Sequence, residues 1–211
     1  MTFIFILILL IVVVGGYAIS VYNGLVRQRN KLQESWRQVD VELTRRYDLI
    51  PNLISTVQGS AKFEQATLER VITLRNQAQA LSSGGGDASQ RGAVEGELTR
   101  AIGGIMAVAE AYPELKSTAG FQQLQTQLAQ TEDRIANSRR FYNAIVGDYN
   151  TRTEAFPSCI FASTFGFKKA GYFEVDDPSV RAAPKVDFGE MGGAAPPAPQ
   201  VSFDSEPPAI S

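Results

Sequence analysis

The chain has 211 residues and carries 20 Lys and Arg against 22 Asp and Glu, a formal charge of −2, with no histidine and one cysteine, Cys159. At roughly 150 residues per domain that is one domain with accessories. The missing histidine removes the commonest general base and metal ligand, the single cysteine excludes a disulfide framework or a cysteine-cluster metal site, and the near-neutral charge offers no basic face to nucleic acid.

The first element is a membrane anchor. Met1 to Val26 contains no charged side chain, and Phe3 to Val21 supplies 19 residues, close to the ~20 that a helix needs to cross ~30 Å of hydrocarbon. A cleaved signal peptide fits poorly: no basic residue precedes the run, and Gly16-Tyr17-Ala18 is a weak cleavage box. A lipoprotein would need a cysteine just after the run, and none is there. Arg27, Arg29 and Lys31 follow the span while nothing ionisable but the α-amino group precedes it. The positive-inside rule then predicts a single-pass protein with its N-terminus outside and the remainder in the cytoplasm. Tyr17 and Tyr22 fall where an interfacial aromatic belt would sit.

Apolar residues continue at heptad spacing through Leu25, Leu32, Trp36, Val39, Leu43 and Ile50, so the anchor helix is expected to run unbroken to about Arg46. Tyr47-Asp48-Leu49-Ile50-Pro51 reads as a stop, with Asp48 as N-cap of a second helix over about 51–81. The glycines of Ser82-Ser83-Gly84-Gly85-Gly86-Asp87 have no preceding strand and no following Gly-Lys-Ser/Thr, so they read as a flexible linker and not as a phosphate loop. A third helix over about 90–111 uses Val94, Leu98, Ala101, Ile105 and Val108. Gly103 and Gly104 weaken it or admit a close neighbour. Tyr112-Pro113 ends it.

The fourth helix has the most regular seam, stepping by three and four from Phe121 through Leu124, Leu128, Thr131, Ile135, Ser138, Tyr142, Ile145, Tyr149 and Arg152 to Phe156. Pro157 closes it. The apolar stretch 160–167 is too short for a span and is expected to fold back on the bundle, with a short interfacial dip as the alternative. From Lys168 onward Pro, Gly and Ala dominate and seven acids face four bases, the composition of a disordered tail. The expected architecture is all-α: a transmembrane anchor (1–24) continuous with a long antiparallel helical bundle of four-helix type (25–167), followed by that tail (168–211).

Several blocks together resemble the LemA family. They are Tyr22-Asn23-Gly24-Leu25-Val26, Trp36 with Val39-Asp40-Val41-Glu42-Leu43, and Arg45-Arg46-Tyr47-Asp48-Leu49-Ile50-Pro51-Asn52-Leu53. Further along come Ala111-Tyr112-Pro113-Glu114-Leu115-Lys116, Phe121-Gln122-Gln123-Leu124-Gln125, Arg139-Arg140-Phe141-Tyr142-Asn143, Tyr149-Asn150 and Phe156-Pro157-Ser158. The likeness covers about residues 1–174. It implies a single-pass bacterial membrane protein with a helical bundle, no established catalytic activity, and a partner role beside membrane proteins, peptidases among them. No catalytic, cofactor-binding or metal-binding residue comes with it.

Individual residues admit two readings. Arg45-Arg46 with Asp48 is an anion or protein contact, or a helix cap paired across a turn, the latter being favoured. Tyr142-Asn143 and Tyr149-Asn150 lie seven residues apart on one helix face, and Asp40 and Arg139 are candidates for the same buried polar network that fixes helix register. Trp36 reads as core. Cys159, without a histidine partner and after a helix end, is not expected to be nucleophilic. Glu42, Glu64, Glu69, Glu95, Glu97 and Glu132 are expected to be exposed and solvating. The sequence favours a non-enzymatic membrane-anchored scaffold or adaptor over a membrane-associated hydrolase, with the bilayer, membrane proteins and a second copy as partners. A cavity lined by Asp40, Arg46 and Tyr142 would favour the hydrolase.

Overall fold

The computed structural model describes residues 1–58 and 65–175. Six helices follow in order: α1 (Thr2–Gln58), α2 (Gln65–Ser83), α3 (Ala88–Glu110), α4 (Pro113–Lys116), α5 (Ala119–Glu154) and α6 (Ser158–Thr164). No strand occurs among the described residues, so the all-α architecture with a long apolar N-terminal helix is as the periodicity predicts. The acidic, Pro-rich stretch expected to be disordered lies, from residue 176 on, outside the described residues.

The first helix is longer than expected. α1 has 57 residues, about 85 Å at 1.5 Å per residue, and it passes straight through Pro51. The expected stop with an Asp48 N-cap and a helix starting at Pro51 is therefore corrected. A proline inside a helix has no N–H to give to the carbonyl four residues earlier, which here is Tyr47. That orphaned carbonyl accepts instead from Arg75 Nε on α2, at 2.8 Å. A side chain distant in sequence thus satisfies the group whose loss normally ends the helix.

Pairings across the bundle fix its topology. Trp36 meets Tyr142, and Arg46 meets Glu132, so α5 runs antiparallel to α1. Asp40 meets Arg91 and Arg46 meets Glu95, so α3 runs parallel to α1. α2 returns between them in sequence, its Arg75 bonded to Tyr47. The core takes the predicted seam: Val39, Leu43, Ile50, Leu98, Ile105, Phe121, Leu124, Leu128 and Ile135 are buried. The seam fails at its ends, where Val108, Arg152 and Phe156 are exposed, and Trp36 is only partly buried against the core.

Connections are tighter than a flexible linker. Gly85 takes a positive φ of 74°, the conformation glycine adopts without a Cβ penalty, and Asp87 caps α3 by accepting from Gln90 N at 2.8 Å. Thr118 caps α5 in the same way through Phe121 N. A Cβ at Gly103 or Gly104 would meet nothing within 4 Å, so no close helix approach occurs there.

The segment after α6 is part of the bundle, which moves the expected start of the tail. Phe173 is fully buried, at 0% exposure, with its ring centroid 5.5 Å from that of Trp36. Asn143 accepts from Phe173 N at 2.9 Å and donates to Phe173 O at 3.1 Å. Asn150 repeats the arrangement with Ala170, at 2.8 Å and 3.0 Å. Each amide stands in for the missing neighbour strand of an extended backbone. The spacing explains itself: seven residues of helix rise about 10.5 Å, and three residues of extended chain cover about 10 Å. Tyr142 OH closes the clamp by donating to Gly171 O at 2.9 Å. On the opposite side the strap presses on α3, where a Cβ at Gly92 would collide with the Glu174 backbone carbonyl.

Candidate functional site

The strongest concentration of polar chemistry lies inside the bundle. Arg46 projects from α1 into the seam and is 1% exposed; Glu95 of α3 meets it there at 2%. Arg46 Nη2 donates to Glu95 Oε2, while Nη1 donates to Glu132 Oε1 of α5 at 2.7 Å and to Thr99 Oγ1 of α3 at 2.7 Å. Tyr47, next along α1, donates its hydroxyl to Glu95 Oε1. One guanidinium therefore ties three helices together, and the Glu95 oxygen it leaves is taken by the phenol.

A second group lies nearer the strap. Arg91 of α3, also buried, donates to Asp40 Oδ1 of α1 and, at 3.2 Å, to Ser82 Oγ of α2. Its guanidinium carbon sits 4.6 Å from the Trp36 ring centroid, a cation–π geometry.

The electrostatics follow from this packing. Burial by itself would lower the Arg46 pKa, but the Glu95 and Glu132 carboxylates outweigh it and the net direction is upward. Arg46 therefore stays charged. Burial, reinforced by the adjacent Glu95 carboxylate, holds the Tyr47 phenol far above its ordinary 10.0, and burial raises Tyr142 and Tyr149. A raised folded pKa means that the neutral phenols contribute full stability below the unfolded value, and that the contribution is lost as pH climbs past it. Urea melts are thus expected to show stability indifferent to these groups up to about pH 10 and falling above it, with a shallower alkaline slope in Tyr47→Phe.

Several expectations are corrected here. Glu95 is not a solvating surface residue, and Glu132 is only partly exposed. Both read as surface acids because each lies beside a seam position, Val94 or Thr131, and not on one, and the arginine that they face is some 50 to 90 positions away. Arg45 and Arg46, adjacent in sequence, separate: Arg45 is exposed and pairs with Glu42 at 3.2 Å, whereas Arg46 is occluded. Asp40 joins a buried network as anticipated, but with Arg91; Arg139 makes none of these contacts. Asp40, Arg46 and Tyr142 do not converge on a cavity, since they point respectively to Arg91, to Glu95 and to Gly171 O. Asn143 and Asn150 do share a face, and what they hold is the strap.

As arranged, the Arg46 cluster offers a substrate no approach, because both members of its central pair are sealed and their charges are mutually neutralised. Among the described residues no group of three or more His, Cys, Asp or Glu is placed to hold a metal ion. Cys159 is a free, half-buried thiol. What the geometry supplies is rigidity and fixed helix register.

Comparison with known proteins finds two kinds of relative. The chain is 28% identical over 176 residues to magnetosome protein MamQ 2 of Paramagnetospirillum magneticum strain AMB-1, an alignment covering 72% of this chain and 64% of that protein. It is 26% identical over 174 residues to magnetosome protein MamQ of Magnetospirillum gryphiswaldense strain MSR-1, with the same coverages. It is 23% identical over 155 residues to protein LemA of Metamycoplasma hominis, covering 74% of this chain and 69% of the relative. The chain thus spans less than two thirds of the length of the magnetosome relatives. The profile of the LemA family matches residues 35–188, well over half the sequence and inclusive of the Arg46 cluster, the asparagine clamp and the strap. This chain belongs to the LemA family.

Proposed function

We propose that the protein is a membrane-anchored adaptor, held in the bacterial inner membrane by residues 1–24 with its N-terminus outside and its bundle in the cytoplasm. It works by contact with membrane proteins, peptidases among them, or with further copies of itself, and not by catalysis. The observation that carries this reading is the continuity of α1: the apolar stretch and the bundle's central helix are one element of 57 residues. A lipid-embedded start would therefore set the direction of the whole rod. Tethering a rigid surface to the bilayer raises the effective concentration of anything that binds it, with no chemistry required.

The sealed Arg46–Glu95 pair supports a structural use of the buried charges, leaving exposed positions such as Arg45 for partners. A photo-cross-linking side chain at Val41, exposed on the bundle face of α1, is expected to capture a membrane protein or a second copy in native membranes. Arg45→Ala is expected to lower that yield with helicity unchanged. Persistent recovery of the un-cross-linked chain alone contradicts the adaptor, and cleavage of the C-terminal tail by protease added outside sealed cells contradicts the orientation.

A further inference from the structure

Three of the large apolar side chains left exposed beyond the anchor fall within ten consecutive residues at one end of the bundle: Phe156 (82%), Ile160 (54%) and Phe165 (56%). They bracket α6, whose other side is packed: Ala162 and Phe167 are buried, together with Phe161 in part, against Val21 and Leu25 of α1 and Tyr149 of α5. This short foot therefore has an inner side facing the bundle and an outer apolar side that the described residues leave largely exposed.

Its height along the bundle can be read from the helices. The pairs Trp36–Tyr142 and Arg46–Glu132 set the antiparallel register of α1 and α5. Continued to the end of α5, that register brings Glu154 opposite Gly24, where the uncharged stretch of α1 ends at Val26. After α6 the Phe165 ring stands edge-on to Tyr22, with centroids 4.9 Å apart. The exposed apolar side of the foot is thus continuous with the exposed apolar surface of the anchor.

Charge around the foot has a matching pattern. Arg27, Arg29 and Lys31 follow the uncharged stretch of α1, and Lys168 and Lys169 follow α6, Arg29 lying 5.2 Å above the Phe167 ring. The nearby acids are Glu154, paired with Lys169, Glu34, paired with Arg37 at 3.4 Å, and the exposed Asp148. Apolar and aromatic side chains below a collar of Lys and Arg are what the boundary between acyl chains and anionic headgroups accommodates.

We infer that residues 156–165 form a second membrane contact, seating Phe156, Ile160 and Phe165 in the interface of an anionic bilayer beside the anchor while the Lys and Arg collar meets the headgroups. This rests on the anchor reading above. Two contacts at one end, a span and a foot, fix the tilt of the rod where one span alone would leave it free to swivel.

The test uses the full chain in a Trp36→Phe background, reconstituted in phosphatidylcholine–phosphatidylglycerol vesicles whose acyl chains are brominated. Single tryptophan reporters are placed by Leu10→Trp in the span, Phe165→Trp in the foot and Thr126→Trp on the exposed far part of α5, each variant being checked for helicity; Phe156→Trp replaces the foot reporter if Phe165→Trp misfolds. The foot reporter is expected to show blue-shifted emission and loss of fluorescence to the brominated lipid, as the Leu10 reporter does, while the Thr126 reporter shows neither. A quenched Leu10 reporter with an unquenched foot reporter overturns the inference and leaves the anchor standing. A foot reporter that is blue-shifted yet unquenched overturns it equally, since protein then covers that side chain. An unquenched Leu10 reporter overturns the anchor and the foot together.

Discussion

Arg46→Ala is expected to destabilise the bundle by about 3–5 kcal/mol, the usual consequence of removing one partner from a buried ion pair. The loss is not the worth of the pair itself. It arises because Glu95, at 2% exposure, is left with a charge that only the Tyr47 hydroxyl then answers, and because Thr99 and Glu132 lose their common donor. Replacing the set with apolar groups of similar volume, Arg46→Met with Tyr47→Phe and Glu95→Leu, is expected to restore stability to near that of the parent, since the central pair then leaves no buried charge orphaned. Arg45→Ala, one position away, is expected to stay within about 0.5 kcal/mol, as exposed substitutions do. Urea midpoints of the three variants check this; a mild Arg46→Ala contradicts the sealed-network account.

Phe173→Ala is expected to cost about 3–5 kcal/mol, a large effect for a residue so close to the end of the bundle. Its ring is fully buried against Trp36, and among the described residues the strap's backbone is otherwise held by two asparagine amides and one tyrosine hydroxyl. Without the ring, the clamp has to order an extended segment with hydrogen bonds worth about 1 kcal/mol each. Limited trypsin digestion should then cut at Lys168 and Lys169, which the docked strap protects, far faster than in the parent. Tyr172→Ala, whose side chain is exposed, is the control expected to leave the rate unchanged.

The elements whose physics is local were legible. Heptad seams located the cores of α1, α3 and α5, and the uncharged leader located the apolar start of α1, because apolar periodicity acts through neighbours three and four residues apart. What escaped the sequence was settled at long range. Pro51 carries every local mark of a helix boundary, and only Arg75, arriving from another helix, reverses it. Glu95 resembles any other surface acid until α1 brings Arg46 against it. The strap was hidden by composition, since Lys168 opens a stretch rich in Gly, Pro and acids, yet Asn143 and Asn150 at heptad spacing with a tyrosine beside each were a visible sign of something to be held. Gly92, a helical glycine without a turn to make, was the matching sign on the opposite wall.

The adaptor reading stands on a single stiff helix running from the apolar leader into the far half of the bundle. Spin labels introduced by Gln33→Cys and Ser55→Cys in a Cys159→Ser background, both at exposed positions of α1, measure this directly by double electron–electron resonance on the reconstituted full chain. An unbroken helix places the two Cα positions about 33 Å apart, in a narrow distribution that Arg75→Met is expected to broaden towards shorter values. A chain that turned back at Tyr47–Pro51 would hold them no farther apart than about 20 Å, and that distance would contradict the rod.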